Sequence, residues 1–313
     1  MATLRGHCGL IHASAFAPDG ALLATGGGYA PSTGVSKSES SATMVWDLTA
    51  LRPAVTLHWH REPVLAVAFS PGNQYLATGS GDRTIALWNV ERGLWNLVMG
   101  AHDRSLRAHD AAVTSLAFRP DGSLLASAGA DGAVKLWNTS DWRQAALFNA
   151  ARNGDARILF SPCGKYLAGV WRSRGPAIVW DVAAGKEHLE LRLWTSEDSE
   201  DYGLAFSPDG AKLAVLSTGE VRIWDLATCQ VIASFTSLGS LTIAYSPRGN
   251  LLATGGWDQE TQAAVSLWDA STGVLVGQFG GHAQPVETIC FSHDGGRLAS
   301  GGRDGVVNLW EVP

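Results

Sequence analysis

Ser127, His109 and Asp131 are the residue types of a hydrolase nucleophile, its general base and the acid that orients the base. Two further trios have the same make-up: Thr78 with His60 and Asp82, and Ser300 with His282 and Asp304. Each is followed by a tryptophan, at Trp137, Trp88 and Trp310 respectively. An acyl-transfer site needs one such set beside a cleft and an oxyanion hole. Three copies at a regular pitch, each tied to an indole, read instead as a structural unit, and no catalytic residue is assigned. His58 and His60 place two imidazoles on one face of a strand-like segment, but no Cys or carboxylate stands at a useful spacing for a metal. Gly26 to Gly28 and the pair Gly301 and Gly302 lack the Lys-Ser/Thr ending of a phosphate cradle and read as hairpin turns. The expectation is a chain with no metal and no cofactor.

What positions these residues is a repeat. Trp followed by Asp, Asn or Glu recurs at Trp46, Trp88, Trp137, Trp180, Trp224, Trp268 and Trp310, at intervals of 42 to 49 residues. A pitch near this length is that of a four-stranded propeller blade. Seven reversals run in phase with the indoles, the first from Phe16 to Gly20 and the last from Phe291 to Gly295. In most of them a Pro presets φ for the turn and a Gly or Asn closes it with positive φ. Between the markers, apolar and polar residues alternate as half-buried strands do, over 64–69, 75–78 and 84–88, and an outer strand such as 274–279 follows the indole. No segment has a helical period. The predicted fold class is all-β: a single propeller over residues 1–313, with seven antiparallel blades of four strands.

These residues resemble the WD-repeat family over essentially the whole chain. The resemblance implies that, within a blade, His bridges Asp and a Ser or Thr hydroxyl, which in turn meets the indole N–H. Complete sets are His60-Thr78-Asp82-Trp88, His109-Ser127-Asp131-Trp137 and His282-Ser300-Asp304-Trp310. Blade 1 has His7 and Thr25 without a clear Asp, and blade 6 has Thr254 and Asp258 without a His. Blades 4 and 5 carry Gly169 and Val215 where the hydroxyl should be. After Trp310 too few residues remain for an outer strand, so Ala2 to Arg5 are expected to complete the last blade and remove an open sheet edge.

The formal net charge of −6 and the absence of a long Lys/Arg run argue against a general nucleic-acid surface. The four cysteines are scattered with no CxxC pair, and no segment is apolar over 18 residues, which together predict a cytoplasmic protein without a membrane anchor. The family mostly binds peptides or protein surfaces on the face made by the loops before the first strand and between the second and third strands of each blade. The expected function is therefore a non-catalytic protein-interaction scaffold, a monomeric ring or one subunit of a larger complex. Alternatives are an enzyme or small-ligand binder at the central channel, for which no converging set of carboxylates or histidines stands out, and a nucleic-acid-binding propeller.

Departures from the repeat on that face are the candidate contacts, because Trp and Arg combine large area with directional hydrogen bonds. They are Trp171, Arg172 and Arg174 in blade 4, Trp257 in blade 6 and Arg303 in blade 7. Glu197 and Asp198 belong to an acidic loop opening blade 5, and Tyr29 to an insert of about eleven residues in blade 1. Trp171, Trp257 and Tyr29 are the one set that could cage a cationic ligand.

Overall fold

Short runs of alternating residues, each closed by a reversal, can satisfy their backbone groups only by pairing with the next run as antiparallel strands. The computed structural model describes residues 1–28, 41–90, 104–149, 154–172, 176–191, 202–217, 219–237, 239–257 and 265–312. Among these, every regular element is a β-strand. Strand β1 (Ala2–Arg5) precedes blade 1, which is β2 (Leu10–Phe16), β3 (Leu22–Gly28), β4 (Thr43–Asp47) and β5 (Arg52–Leu57). Blade 2 is β6 (Val64–Phe69), β7 (Tyr75–Ser80), β8 (Thr84–Asn89) and β9 (Arg104–Arg107), and blade 3 is β10 (Val113–Phe118), β11 (Leu124–Gly129), β12 (Ala133–Asn138) and β13 (Gln144–Asn149). Blade 4 comprises β14 (Ala156–Phe160), β15 (Tyr166–Trp171), β16 (Ala177–Asp181) and β17 (Lys186–Leu191). Blade 5 comprises β18 (Tyr202–Phe206), β19 (Lys212–Ser217), β20 (Glu220–Asp225) and β21 (Gln230–Thr236). Blade 6 follows with β22 (Ser240–Tyr245), β23 (Leu251–Gly256), β24 (Val265–Asp269) and β25 (Leu275–Phe279), and blade 7 with β26 (Val286–Phe291), β27 (Arg297–Gly302) and β28 (Val306–Glu311).

The seven sheets each hold four strands, and the last takes its fourth from the chain start in the order β1-β28-β27-β26. Ala2 faces Leu309 and Arg5 faces Val306 in that antiparallel pair. The first strands β2, β6, β10, β14, β18, β22 and β26 each contact the next, and β2 also contacts β26, so the ring closes. The turn from first to second strand has the geometry its residues dictate: Gly122, for example, takes φ of 74° and donates its N–H to Arg119 O at 2.8 Å.

The core lies between neighbouring sheets, each apolar face hidden against the next blade. At the closing seam Leu4, Val307 and Leu309 of blade 7 pack with Ile11, Leu23, Met44 and Trp46 of blade 1. The glycine clusters correct one expectation: Gly26 and Gly301 lie within the second strands β3 and β27 and are not hairpin turns. Their role is close approach of blades. A Cβ on Gly26 would stand 2.6 Å from Val64 Cγ1, and one on Gly301 2.6 Å from Ile11 Cγ2. Gly79 against Val113 and Gly255 against Val286 repeat the contact at two other seams. No helix among the described residues is long and apolar enough to cross a membrane.

Candidate functional site

The three complete sets form closed hydrogen-bond chains. In blade 2, His60 Nδ1 meets Asp82 Oδ2 at 3.0 Å, His60 Nε2 meets Thr78 Oγ1 at 2.8 Å, and Trp88 donates its indole N–H to the same hydroxyl at 3.1 Å. Blade 3 repeats this with His109 to Asp131 at 3.1 Å, His109 to Ser127 at 2.8 Å and Trp137 to Ser127 at 2.9 Å. Blade 7 gives 3.1, 2.8 and 3.0 Å for His282 to Asp304, His282 to Ser300 and Trp310 to Ser300. A carboxylate at Nδ1 fixes the proton there, so Nε2 accepts from the hydroxyl and the hydroxyl oxygen accepts from the indole. Burial pushes the Asp82 carboxyl up, but hydrogen bonds from His60, Thr84 and the Arg61 amide outweigh it and hold it far below the ordinary range. Burial lowers His109 despite Asp131, which keeps that ring neutral. The three hydroxyl residues are 0% exposed, so no substrate reaches them.

The other blades replace the missing members in different ways. In blade 6, Ser237 stands in for the histidine, its Oγ 2.9 Å from Thr254 Oγ1, which accepts the Trp268 N–H at 2.9 Å. Ser237 carries no repeat signal in the sequence, because the family pattern places an imidazole in this role. In blade 1, His7 Nε2 meets Thr25 Oγ1 at 2.7 Å and Trp46 donates to Thr25 at 2.8 Å, while His7 Nδ1 is buried without a partner among the described residues. Burial, helped by His12, lowers His7 from 6.5 to about 4. The unfolded chain therefore takes up a proton between pH 6.5 and 4 that the folded chain refuses, and stability falls as pH drops through that window. We expect His7→Gln to remove about one proton from the slope of stability against pH there. Thermal melts across the window measure it, and an unaltered slope would exclude His7 as the cause.

Blade 4 corrects the expectation of an exposed Trp171. The side chain is 4% exposed and meets Trp180 edge-on, with centroids 5.8 Å apart and planes at 81°. Gly169 makes the room, since a Cβ there would lie 2.9 Å from the Trp171 ring. An aromatic pair thus fills the volume that imidazole and hydroxyl occupy elsewhere, and Trp171 Nε1 is left buried without a hydrogen-bond partner among the described residues. In blade 5, where Val215 replaces the hydroxyl, Trp224 Nε1 likewise has no partner among the described residues. A cage built on Trp171 is therefore not formed. Trp257 is half-buried beyond β23, its backbone N–H donating to Gly239 O at 2.9 Å. Tyr29, Arg174, Glu197, Asp198 and Asp258 lie outside the described residues.

Arg172 and Arg303 are exposed, each one residue past the second strand of its blade. They border a cavity of about 320 Å³ at one mouth of the central channel. Every blade contributes to it near the start of its first strand: Leu10 and His12, Leu65, Thr114, Asp155 and Arg157, Tyr202, Leu241, and Glu287. His12, Asp155 and Glu287 overturn the expectation that no set of carboxylates or histidines converges on the channel. Arg172 pairs with Asp155 at 3.6 Å, and Arg303 pairs with Glu287. His12 is lowered first by burial, then pulled up by Glu287 and Asp155 and down by Arg157 and Arg303, so groups from blades 4 and 7 act on a blade 1 ring. Tyr202 is raised by burial, with opposing effects from Arg157 and Asp155. Among the described residues no group of three or more His, Cys, Asp or Glu could hold a metal ion.

A profile described as WD domain, G-beta repeat matches residues 1–29, 51–89, 100–138, 232–261 and 273–311. The stretch between 138 and 232 that it leaves out holds most of blades 4 and 5, the two in which Gly169 and Val215 replace the hydroxyl. The chain is 23% identical over 300 residues to a transcriptional corepressor of Arabidopsis thaliana, covering 95% of this chain and 34% of that protein. It is 26% identical over 272 residues to a p21-activated protein kinase-interacting protein 1-like of Danio rerio, covering 84% and 67%. It is 30% identical over 285 residues to nuclear distribution protein nudF 2 of Penicillium rubens, covering 83% and 58%. The chain thus spans between 34% and 67% of the length of these three relatives.

Proposed function

The chain belongs to the WD-repeat β-propeller family, and from that premise we propose that it is a non-catalytic scaffold whose partner, a peptide or a protein surface, docks on the face that carries the channel mouth. The observation that carries this reading is a division of labour among polar groups. The catalytic-looking trios are sealed inside blades and occupied by their indoles, whereas Arg172, Arg303 and their carboxylate partners stand at an open mouth. Surface ion pairs contribute at most about 1 kcal/mol to folding, so the fold has little need of them there. The names of two relatives, a corepressor and a kinase-interacting protein, agree with binding other proteins. A reducing cytoplasmic setting, in which four unpaired cysteines persist, belongs to the same proposal.

The test is affinity capture with the intact chain beside an Arg172→Ala/Arg303→Ala variant of matching melting temperature. The variant is expected to lose the partners that the intact chain retains at about tenfold or greater depletion, the effect of removing an interfacial arginine anchor. Identical partner lists would remove this face as the docking side. A second reading, a small-molecule binder at the channel, is favoured by the cavity itself, whose size is near the lower limit for organic ligands.

A further inference from the structure

We infer that the channel mouth is a carboxylate-binding site anchored by Arg157. The inference deepens the reading of this face as the binding side and rests on it. Among the described residues, three guanidiniums and two carboxylates line the cavity. Arg172 and Arg303 are each engaged by a carboxylate, while no ion pair joins Arg157 to any described residue. Arg157 is half-buried on β14 between Ala156 and Ile158, which are buried in the blade. A guanidinium at the neck of a protein-walled channel, without a counter-ion among the described residues, favours an anion more than the same group in open water would.

The surroundings narrow the anion. Burial keeps His12 neutral and the Tyr202 phenol protonated, so both can donate a hydrogen bond without adding charge. Thr114 adds a hydroxyl to the lining. A carboxylate is acceptor-only and matches the guanidinium fork with two parallel bonds. Asp155 and Glu287 in the same collar oppose a second negative charge, which selects a monoanion over a phosphate dianion. Leu10, Leu65 and Leu241 line the sectors of blades 1, 2 and 6, which suits a short aliphatic stem behind the carboxylate. The shared chemistry is that of a small aliphatic acid or of an acidic peptide side chain, and the test separates these two sources.

The experiment titrates the purified chain and follows the methyl resonances of Leu10, Leu65 and Leu241. The probes are sodium butyrate, the peptide acetyl-Ala-Glu-Ala-amide, butyramide and inorganic phosphate. Saturable shifts are expected with butyrate or the peptide, whichever binds tighter naming the source, with none from butyramide and binding about tenfold weaker for phosphate. Arg157→Gln should weaken the carboxylate by about tenfold or more, Arg157→Lys by less, and Arg61→Gln, on an exposed loop, not at all. A melt of each variant checks that the ring is intact. The inference is overturned if neither carboxylate saturates, if butyramide or phosphate binds equally well, or if Arg157→Gln binds like the parent. Because the probes are defined, a negative result here leaves the partner-capture outcome untouched, and the converse also holds.

Discussion

A chain that starts at Gly6 after a new initiator methionine is expected to melt about 10 °C below the intact protein. Four residues of β1 pair with β28, and Thr3 donates its hydroxyl to Asn308 Oδ1 at 2.9 Å. Leu4 is 2% exposed at the seam between blades 7 and 1. Losing a buried leucine costs about 3 kcal/mol, and the lost ladder bonds add about 2 kcal/mol net. For a chain of this size about 2 °C of melting temperature goes with each kcal/mol. Truncation also bares the outer edge of β28, a row of unpaired N–H and C=O groups that invites pairing between chains, so light scattering should rise with protein concentration. Leu4→Ala alone should give about half the shift. Calorimetry of the three forms decides it: an unchanged melt after truncation would mean that the last blade closes without β1.

The repeat could be read from sequence because each blade carries its own copy of the signal. The indole, the turn and the alternation recur locally, and Leu4 could be assigned to the last blade because the end of the chain lacked its outer strand. The channel mouth was illegible for the opposite reason. His12, Thr114, Tyr202 and Glu287 are single polar residues on alternating strands, far apart in the chain, and each looks like ordinary strand patterning. Only ring closure makes them neighbours. Superposing the blades would have revealed them: four residues before the strand aromatic stand His12, Leu65, Thr114, Tyr202, Leu241 and Glu287. Blade 4 breaks this register with Asp155 and Arg157 on either side of Ala156, and its first strand pair lacks the shift seen in blades 1, 2, 3, 6 and 7. Trp171 misled for a related reason. Its neighbours in the repeat are small, so an indole there reads as an exposed departure, and only Gly169 two residues earlier signals the inward space it takes.

Ser127→Ala is expected to cost about 4 kcal/mol, more than most changes that delete a single oxygen. The hydroxyl accepts the Trp137 indole N–H and donates to His109 Nε2, and both groups are buried. Removing the oxygen strands two polar atoms at about 1–3 kcal/mol each, and neither can turn to water. Blade 5 offers the reverse experiment. Leu213 faces Trp224 there as Leu125 faces Trp137 in blade 3, which places Val215 at the register position of Ser127. Trp224 Nε1 is already buried with no partner among the described residues, so its desolvation penalty is present in the folded protein. Val215→Thr keeps the side-chain shape and supplies an acceptor, and should therefore stabilise by about 1 kcal/mol in thermal or urea melts. Opposite signs at equivalent positions would show that satisfaction of the indole, rather than the size of its neighbour, sets the energy. If both changes destabilise alike, packing volume governs these positions and the hydrogen-bond chains contribute little.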